Sequence, residues 1–144
     1  MSSLGIIALS GAKMVDKYRA NIRLAYSTRK LSSAYTGDTI RVRESSGNAE
    51  ADIGFDSSGN LDEAALLTHC GSNDGFITKW YDQSGNGGNL EQTTTANQPQ
   101  IVSSGAVLKE NGKPIITGLA ASNGSHLDLI SSKTTYLPST GQHY

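Results

Sequence analysis

Residues 75–89 read GFITKWYDQSGNGGN: five residues with strand character, then an aromatic pair, then an acid and, after Gln83 and Ser84, a run of glycine and asparagine. Alternation along residues 75–81 places Phe76, Thr78 and Trp80 on one side of a strand and Ile77, Lys79 and Tyr81 on the other. The glycines at 85, 87 and 88 then end the strand in a turn. A phosphate-binding loop would need these glycines to open a helix, with a lysine in the Walker form. Here Asn89, Leu90, Glu91 and three threonines follow, which favour extended chain. The stretch therefore reads as the central strand of a sheet and its exit turn. Within it, Asp82 has two open readings: it anchors the turn through backbone amides, or it points into a groove beside Trp80 and Tyr81.

The flanking sequence supports a β-rich domain. TIRVRES alternates Ile40 and Val42 with Arg41 and Arg43, the pattern of a half-buried strand. ADIGF gives a second strand and DSSGN a turn, and NLEQ and QPQIV give two more strands. AVLKENGKPII reads as a hairpin, because Asn111-Gly112 separates two apolar runs. HLDLI alternates again, with His126, Asp128 and Ile130 on one side. LDEAALLTHCG is the strongest helix, with Asn60 as its N-cap, Asp62 and Glu63 in the first turn, and Gly71 as its stop. Its Leu61, Ala64, Ala65 and Leu67 are expected to face the sheet. STRKLSSAYTG predicts a short helix from Ser27 to Gly37. Short strands, sixteen glycines and one or two small helices point to a β-sandwich or jelly roll.

Residues 1–24 differ from the rest. Met14, Tyr18, Ile22 and Tyr26 are spaced four apart, as on one face of a helix, behind the apolar run GIIALSGAK. Residues 1–43 hold eight basic residues against two acids, whereas the remaining four bases meet eleven acids. That asymmetry predicts a basic arm, residues 1–24, docking through Ile6, Ile7, Leu9, Met14, Tyr18 and Ile22 on a neighbouring subunit or covering its own core. The sandwich domain is then residues 25–144, without a closing strand in view. Nucleic acid is not the expected partner, since the basic stretch has no interleaved aromatics.

Other chemistries find little support. Cys70 is the sole cysteine and reads as a small buried hydrophobe. His69, His126 and His143 lack metal-ligand spacing with it, and DSSGNLDE departs from the calcium-loop pattern. No metal or cofactor is expected. No apolar run is long enough to span a membrane as a helix, and no G-x-S-x-G elbow marks a nucleophilic serine. Glycoside hydrolysis needs two carboxylates flanking a sugar pocket. The nine acids from Asp52 to Asp128 offer many pairs and no reason to prefer one.

AYSTRKL, YTG, IRVR, WYDQSGNG and NQPQIV occur in that order within residues 25–102. This stretch resembles the N-terminal half of the fungal α-L-arabinofuranosidase B catalytic domain, a concanavalin-like β-sandwich. It resembles still more a family of phage and prophage virion proteins carrying the same domain. The resemblance implies a mainly β, incomplete concanavalin-like sandwich (jelly roll) with an N-terminal arm. The enzyme family's nucleophile and acid/base lie in the second half of a domain about twice this long, so it assigns no catalytic residue here. It also implies a second cysteine after the position of Cys70, where Ser72, Asn73 and Asp74 stand. The expectation is therefore a non-enzymatic virion component: a tail fibre, baseplate appendage or capsid decoration, with virion proteins and further copies of itself as partners. The alternative is a carbohydrate-binding or degenerate arabinofuranosidase-like domain, contacting a glycan, such as one on a host surface, through Trp80, Tyr81 and Asp82.

Overall fold

The computed structural model describes residues 13–18, 20–118 and 125–129. In chain order the elements are α1 (Met14–Tyr18), β1 (Ile40–Glu44), β2 (Glu50–Ile53), α2 (Glu63–Cys70), β3 (Gly75–Trp80), β4 (Leu90–Glu91), a 3-10 turn (Thr95–Asn97), β5 (Gln100–Ser103), β6 (Ala106–Val107), β7 (Lys109–Glu110), β8 (Lys113–Pro114) and β9 (Asp128–Leu129). β3 is central, as its sequence predicts. β1 pairs along one edge of it, and β5 and β4 share the other edge. β2 extends the sheet beyond β1, β6 beyond β5 and β9 beyond β4, all antiparallel. β7 and β8 form the predicted hairpin, with Asn111 at φ 49° and Gly112 at φ 73°, the positive values its tight turn demands.

The core lies on one face of this sheet. Ile40, Val42, Ile53, Ile77, Ile101 and Val102 pack there against Leu61, Leu66 and Cys70. Helix α2 covers them, capped at its start by the Asp62 carboxylate, which accepts from the Ala65 amide at 2.9 Å. The expected cap, Asn60, lies two residues short of the cap position, in a β-bridge with Arg29, its amide held by Asp56 Oδ1 in the preceding turn. The helix phase shifts accordingly: Leu66 and Cys70 are buried and Ala64 and Ala65 are exposed. Gly71 ends the helix at φ 57°, its amide bonded to the Leu67 carbonyl at 2.8 Å. Where the helix meets β3 the approach is close. A Cβ on Gly75 would lie 2.7 Å from Cys70 Sγ and 3.1 Å from Val102 Cβ.

The simple alternation expected of β3 does not hold. Arg41 pairs with Lys79 but Val42 pairs with Ile77, which leaves Thr78 as an extra residue, a β-bulge. The bulge reverses the parity of the strand. Ile77 and Trp80 both turn to the core, whereas Phe76, Lys79 and Tyr81 stand on the opposite face with Arg41 and Arg43.

Two further expectations change. No helix forms at 27–37: Ser27 Oγ instead accepts from the Arg29 amide in a local turn, and the chain there is irregular. α1 ends at Tyr18, so Met14, Tyr18, Ile22 and Tyr26 do not share one helix face. Val15 is its buried anchor, while Tyr18 is 49% exposed. The Val15 amide bonds to the Leu31 carbonyl, and the Asp16 carboxylate accepts from Ser32 Oγ and the Ser33 amide. These bonds hold the Asp16 carboxyl down at about 2. α1 is thus docked on its own chain, and Ile22 is half-buried. Ile6, Ile7 and Leu9 lie outside the described residues, as does the side chain of Met14.

Candidate functional site

The loop after β3 is a clamp. Asp82 is 4% exposed, and its carboxylate accepts from the Ala25 amide (2.8 Å), the Ser84 amide (2.9 Å), Ser84 Oγ (2.7 Å) and the Gly88 amide (3.1 Å). Gln83 is 1% exposed. Its Oε1 accepts from the Leu31 amide, and its Nε2 donates to the carbonyls of Ser27 and Arg29. Asn86 Nδ2 donates to the carbonyls of Ile22 and Arg23. Side chains of 82–86 thereby satisfy the backbone of 22–31, which has little regular secondary structure to satisfy it. Gly85 at φ 90° and Gly87 at φ 75° give the loop the positive angles that let it fold back. Asp82 therefore faces protein donors rather than a groove.

The two aromatics of the motif part company. Trp80 packs beside Tyr26, ring centroids 6.1 Å apart, in a cleft of about 420 Å³ completed by Ser27, Thr28, Pro114, Ile115 and Ile116. Its indole N–H is buried with no hydrogen-bond partner among the described residues. Tyr81 stands on the other face. Its hydroxyl donates to Asp52 Oδ1 at 2.6 Å, while Arg41 holds the same carboxylate through Nε and Nη2, both at 2.7 Å. Arg41, then Tyr81, keeps the Asp52 carboxyl low against its partial burial; burial, then Asp52, pushes the Tyr81 phenol up. Lys79 pairs with Glu91 at 2.7 Å and lies 5.6 Å from the Tyr81 ring. Trp80, Tyr81 and Asp82 are thus consecutive in sequence but occupy a cleft, an exposed ion-pair network and a buried clamp.

A third region was not foreseen. Between residues 30–38 and 54–59 runs a polar groove of about 550 Å³. Tyr35 and Phe55 meet edge to face in its wall, 6.4 Å between centroids at 81°. The Tyr35 hydroxyl donates to the Asp38 carbonyl at 2.7 Å, which turns the ring back over Gly37; a Cβ there would lie 2.6 Å from that oxygen. Burial, with Asp38 and Asp82 nearby, pushes the Tyr35 phenol up to about 12. Asp38 lines the groove, and partial burial followed by the charge of Asp52 raises its carboxyl. The only sequence signal for this place was Tyr-Thr-Gly-Asp at 35–38, and its partner wall is supplied by a separate turn. Among the described residues no group of three or more His, Cys, Asp or Glu is placed to hold a metal ion, and no helix is long and apolar enough to cross a membrane.

The comparisons with known proteins agree in one direction. The family described as "Alpha-L-arabinofuranosidase B, catalytic" matches residues 20–136. Alpha-L-arabinofuranosidase B of Aspergillus oryzae is 36% identical over 98 residues, covering 62% of this chain and 19% of that protein. Among solved structures, a GH54 a-l-arabinofuranosidase soaked with a cyclic sulfate inhibitor matches at TM-score 0.55 and 28% identity, over 62% of this chain and 22% of that one. An arabinofuranosidase complexed with arabinofuranosyl-alpha-1,2-xylobiose matches at TM-score 0.51 and 30% identity, over 65% and 20%. The chain thus spans about a fifth of the length of these relatives. The mainly β sandwich expected from the sequence is their fold. The expected virion role and the expectation of a non-enzymatic part are overturned, because these matches are to a catalytic domain of glycoside hydrolases. With its sheet, helix and clamp loop inside the matched region, the chain belongs to the family of α-L-arabinofuranosidase B catalytic domains.

Proposed function

We propose that this chain forms part of an arabinofuranosidase-type glycoside hydrolase domain that recognises α-L-arabinofuranosyl groups on a glycan. The observation that supports this most is the family match over residues 20–136, which begins just after α1 and runs beyond β9. Hydrolysis requires an acid and a base or nucleophile on either side of the glycosidic bond. The contribution of the described residues is the sheet, the clamp that holds residues 22–31, and the concave surfaces beside it. Recognition of a neutral sugar asks for such surfaces: an apolar or aromatic wall with a few placed polar groups.

The test uses arabinofuranosyl-α-1,2-xylobiose and unsubstituted xylobiose, titrated into the purified protein by calorimetry. Saturable binding of the substituted sugar, at least about tenfold tighter than xylobiose, is expected, a preference of about 1.4 kcal/mol. Equal or absent binding of the two overturns the reading. Release of 4-nitrophenol from 4-nitrophenyl α-L-arabinofuranoside by the same sample tells whether turnover accompanies recognition.

A further inference from the structure

We propose that the groove between residues 30–38 and 54–59 is a furanosyl-binding subsite, in which the Asp38 carboxylate accepts from sugar hydroxyls while the Tyr35 and Phe55 rings face the apolar side of the sugar. This rests on the glycan-recognition reading above and places it on the molecule.

Three observations point there. First, the walls are built rather than loose. The Lys30 amide bonds to the Gly59 carbonyl at 2.7 Å and joins the two segments. Asp56 Oδ1 accepts from the amides of Ser58 and Asn60, which fixes the far turn, and Tyr35 is tied to the Asp38 carbonyl. Second, small residues keep the groove open. A Cβ on Gly54 would lie 3.2 Å from Asp38 Oδ1, and one on Gly59, at φ +77°, would meet Lys30 Cβ at 3.3 Å. Third, the polar groups are balanced and one of them is uncommitted. Lys13 and Lys30 face the groove with Asp38 and Asp56, two charges of each sign. Asp56 is spent on its own turn, whereas the Asp38 side chain has no hydrogen bond or ion pair among the described residues.

This chemistry selects its ligand. A balanced rim gives no net attraction to a phosphate or a polycation, and one free carboxylate is too few ligands for a divalent ion. A wall of two aromatic rings beside a carboxylate acceptor and ammonium donors suits a neutral polyhydroxyl ring with one apolar face. The volume, about 550 Å³, sits inside the range of small-molecule sites. Partial burial of Asp38 is consistent with this role, since a hydroxyl-to-carboxylate bond gains strength as water is excluded.

The test is a titration with arabinofuranosyl-α-1,2-xylobiose followed by amide chemical shifts, on the wild type and on Asp38→Asn, Asp38→Ala and Phe55→Leu. Expected are shift changes concentrated in 30–38 and 54–59, and a Kd raised about ten- to hundredfold by Asp38→Ala, the loss of one or two charge-assisted bonds. Asp38→Asn is nearly isosteric and keeps one neutral acceptor, so a smaller rise in Kd, about three- to tenfold, is expected from it, which reads the lost charge even if Asp38→Ala disturbs the loop. Binding that persists unchanged in all three variants, with shifts around Trp80 and Tyr26 instead, overturns the groove while leaving glycan recognition standing. No saturable binding by the folded wild type overturns both.

Discussion

Replacing Asp82 tests whether the glycine-rich loop is a clamp. Four donors converge on its carboxylate, but Ser84 Oγ has a second acceptor in the Arg23 carbonyl at 3.1 Å and is not orphaned when the acid is removed. Asp82→Ala therefore strands three amides, those of Ala25, Ser84 and Gly88, in a region closed to solvent. An unsatisfied buried donor costs about 1–3 kcal/mol, and water entering the vacated space recovers part of it, so a loss of about 3–5 kcal/mol is expected. Asp82→Asn keeps Oδ1 for Ala25 and Ser84 and turns Nδ2 toward the Gly88 amide, donor against donor. One amide is then stranded, and the expected loss falls to about 1–2 kcal/mol. Urea unfolding, read by tryptophan fluorescence from Trp80, gives both values if the slope m is unchanged. Amide exchange at Ala25 should accelerate in both variants, more in Asp82→Ala. A cost below about 1 kcal/mol for Asp82→Ala, or equal costs for the two substitutions, would refute the clamp.

Two further outcomes follow from packing and charge. Gly75→Ala places a methyl against Cys70 Sγ, Val102 and Val42 and is expected to cost about 1–3 kcal/mol; Cys70→Ala should relieve part of it, so that the double variant loses less than the two singles together, measured by the same unfolding curves. Glu44 accepts from Ser46 Oγ and from the amides of Ser46, Gly47 and Ala49, which lowers its carboxyl from the usual 4.5 to about 2. A depressed carboxyl stabilises above its unfolded pKa and loses that contribution as pH falls through the folded one. The β1–β2 turn should therefore loosen between about pH 4.5 and 2, seen as faster amide exchange at Gly47 and Ala49. Glu44→Gln, which keeps no titrating group there, should show a flat profile across that window.

What was legible in the sequence was local. Ile40 and Val42 alternate with arginines and do face the core; Asn111-Gly112 does turn the hairpin; Gly71 does stop α2. What was illegible depended on partners far along the chain or on a residue that carries no mark. Thr78 looks like any strand threonine, yet the bulge it forms exchanges the faces of Trp80 and Tyr81. Residues 27–37 carry helix signals, but Gln83, more than fifty residues away, holds the carbonyls of Ser27 and Arg29 and the amide of Leu31. The groove fared worst. Its aromatic wall pairs Tyr35 with Phe55 from two turns, neither of which has a periodicity that would reveal the other.

The placement of these parts bears on where function can reside. A buried carboxylate with four donors and a buried amide with three partners are poor ligands, because any contact with a sugar would first have to break bonds that hold residues 22–31 in place. The most conspicuous motif in the chain is therefore committed to the fold. It is nevertheless connected to the groove: by fixing Leu31 and the carbonyl of Arg29, Gln83 sets the path into Lys30, and Lys30 in turn is bonded to Gly59 across the groove. The clamp and the groove are consecutive links of one hydrogen-bonded chain. The rigid loop supplies the framework on which the turns at 35–38 and 54–59 present the proposed sugar groove.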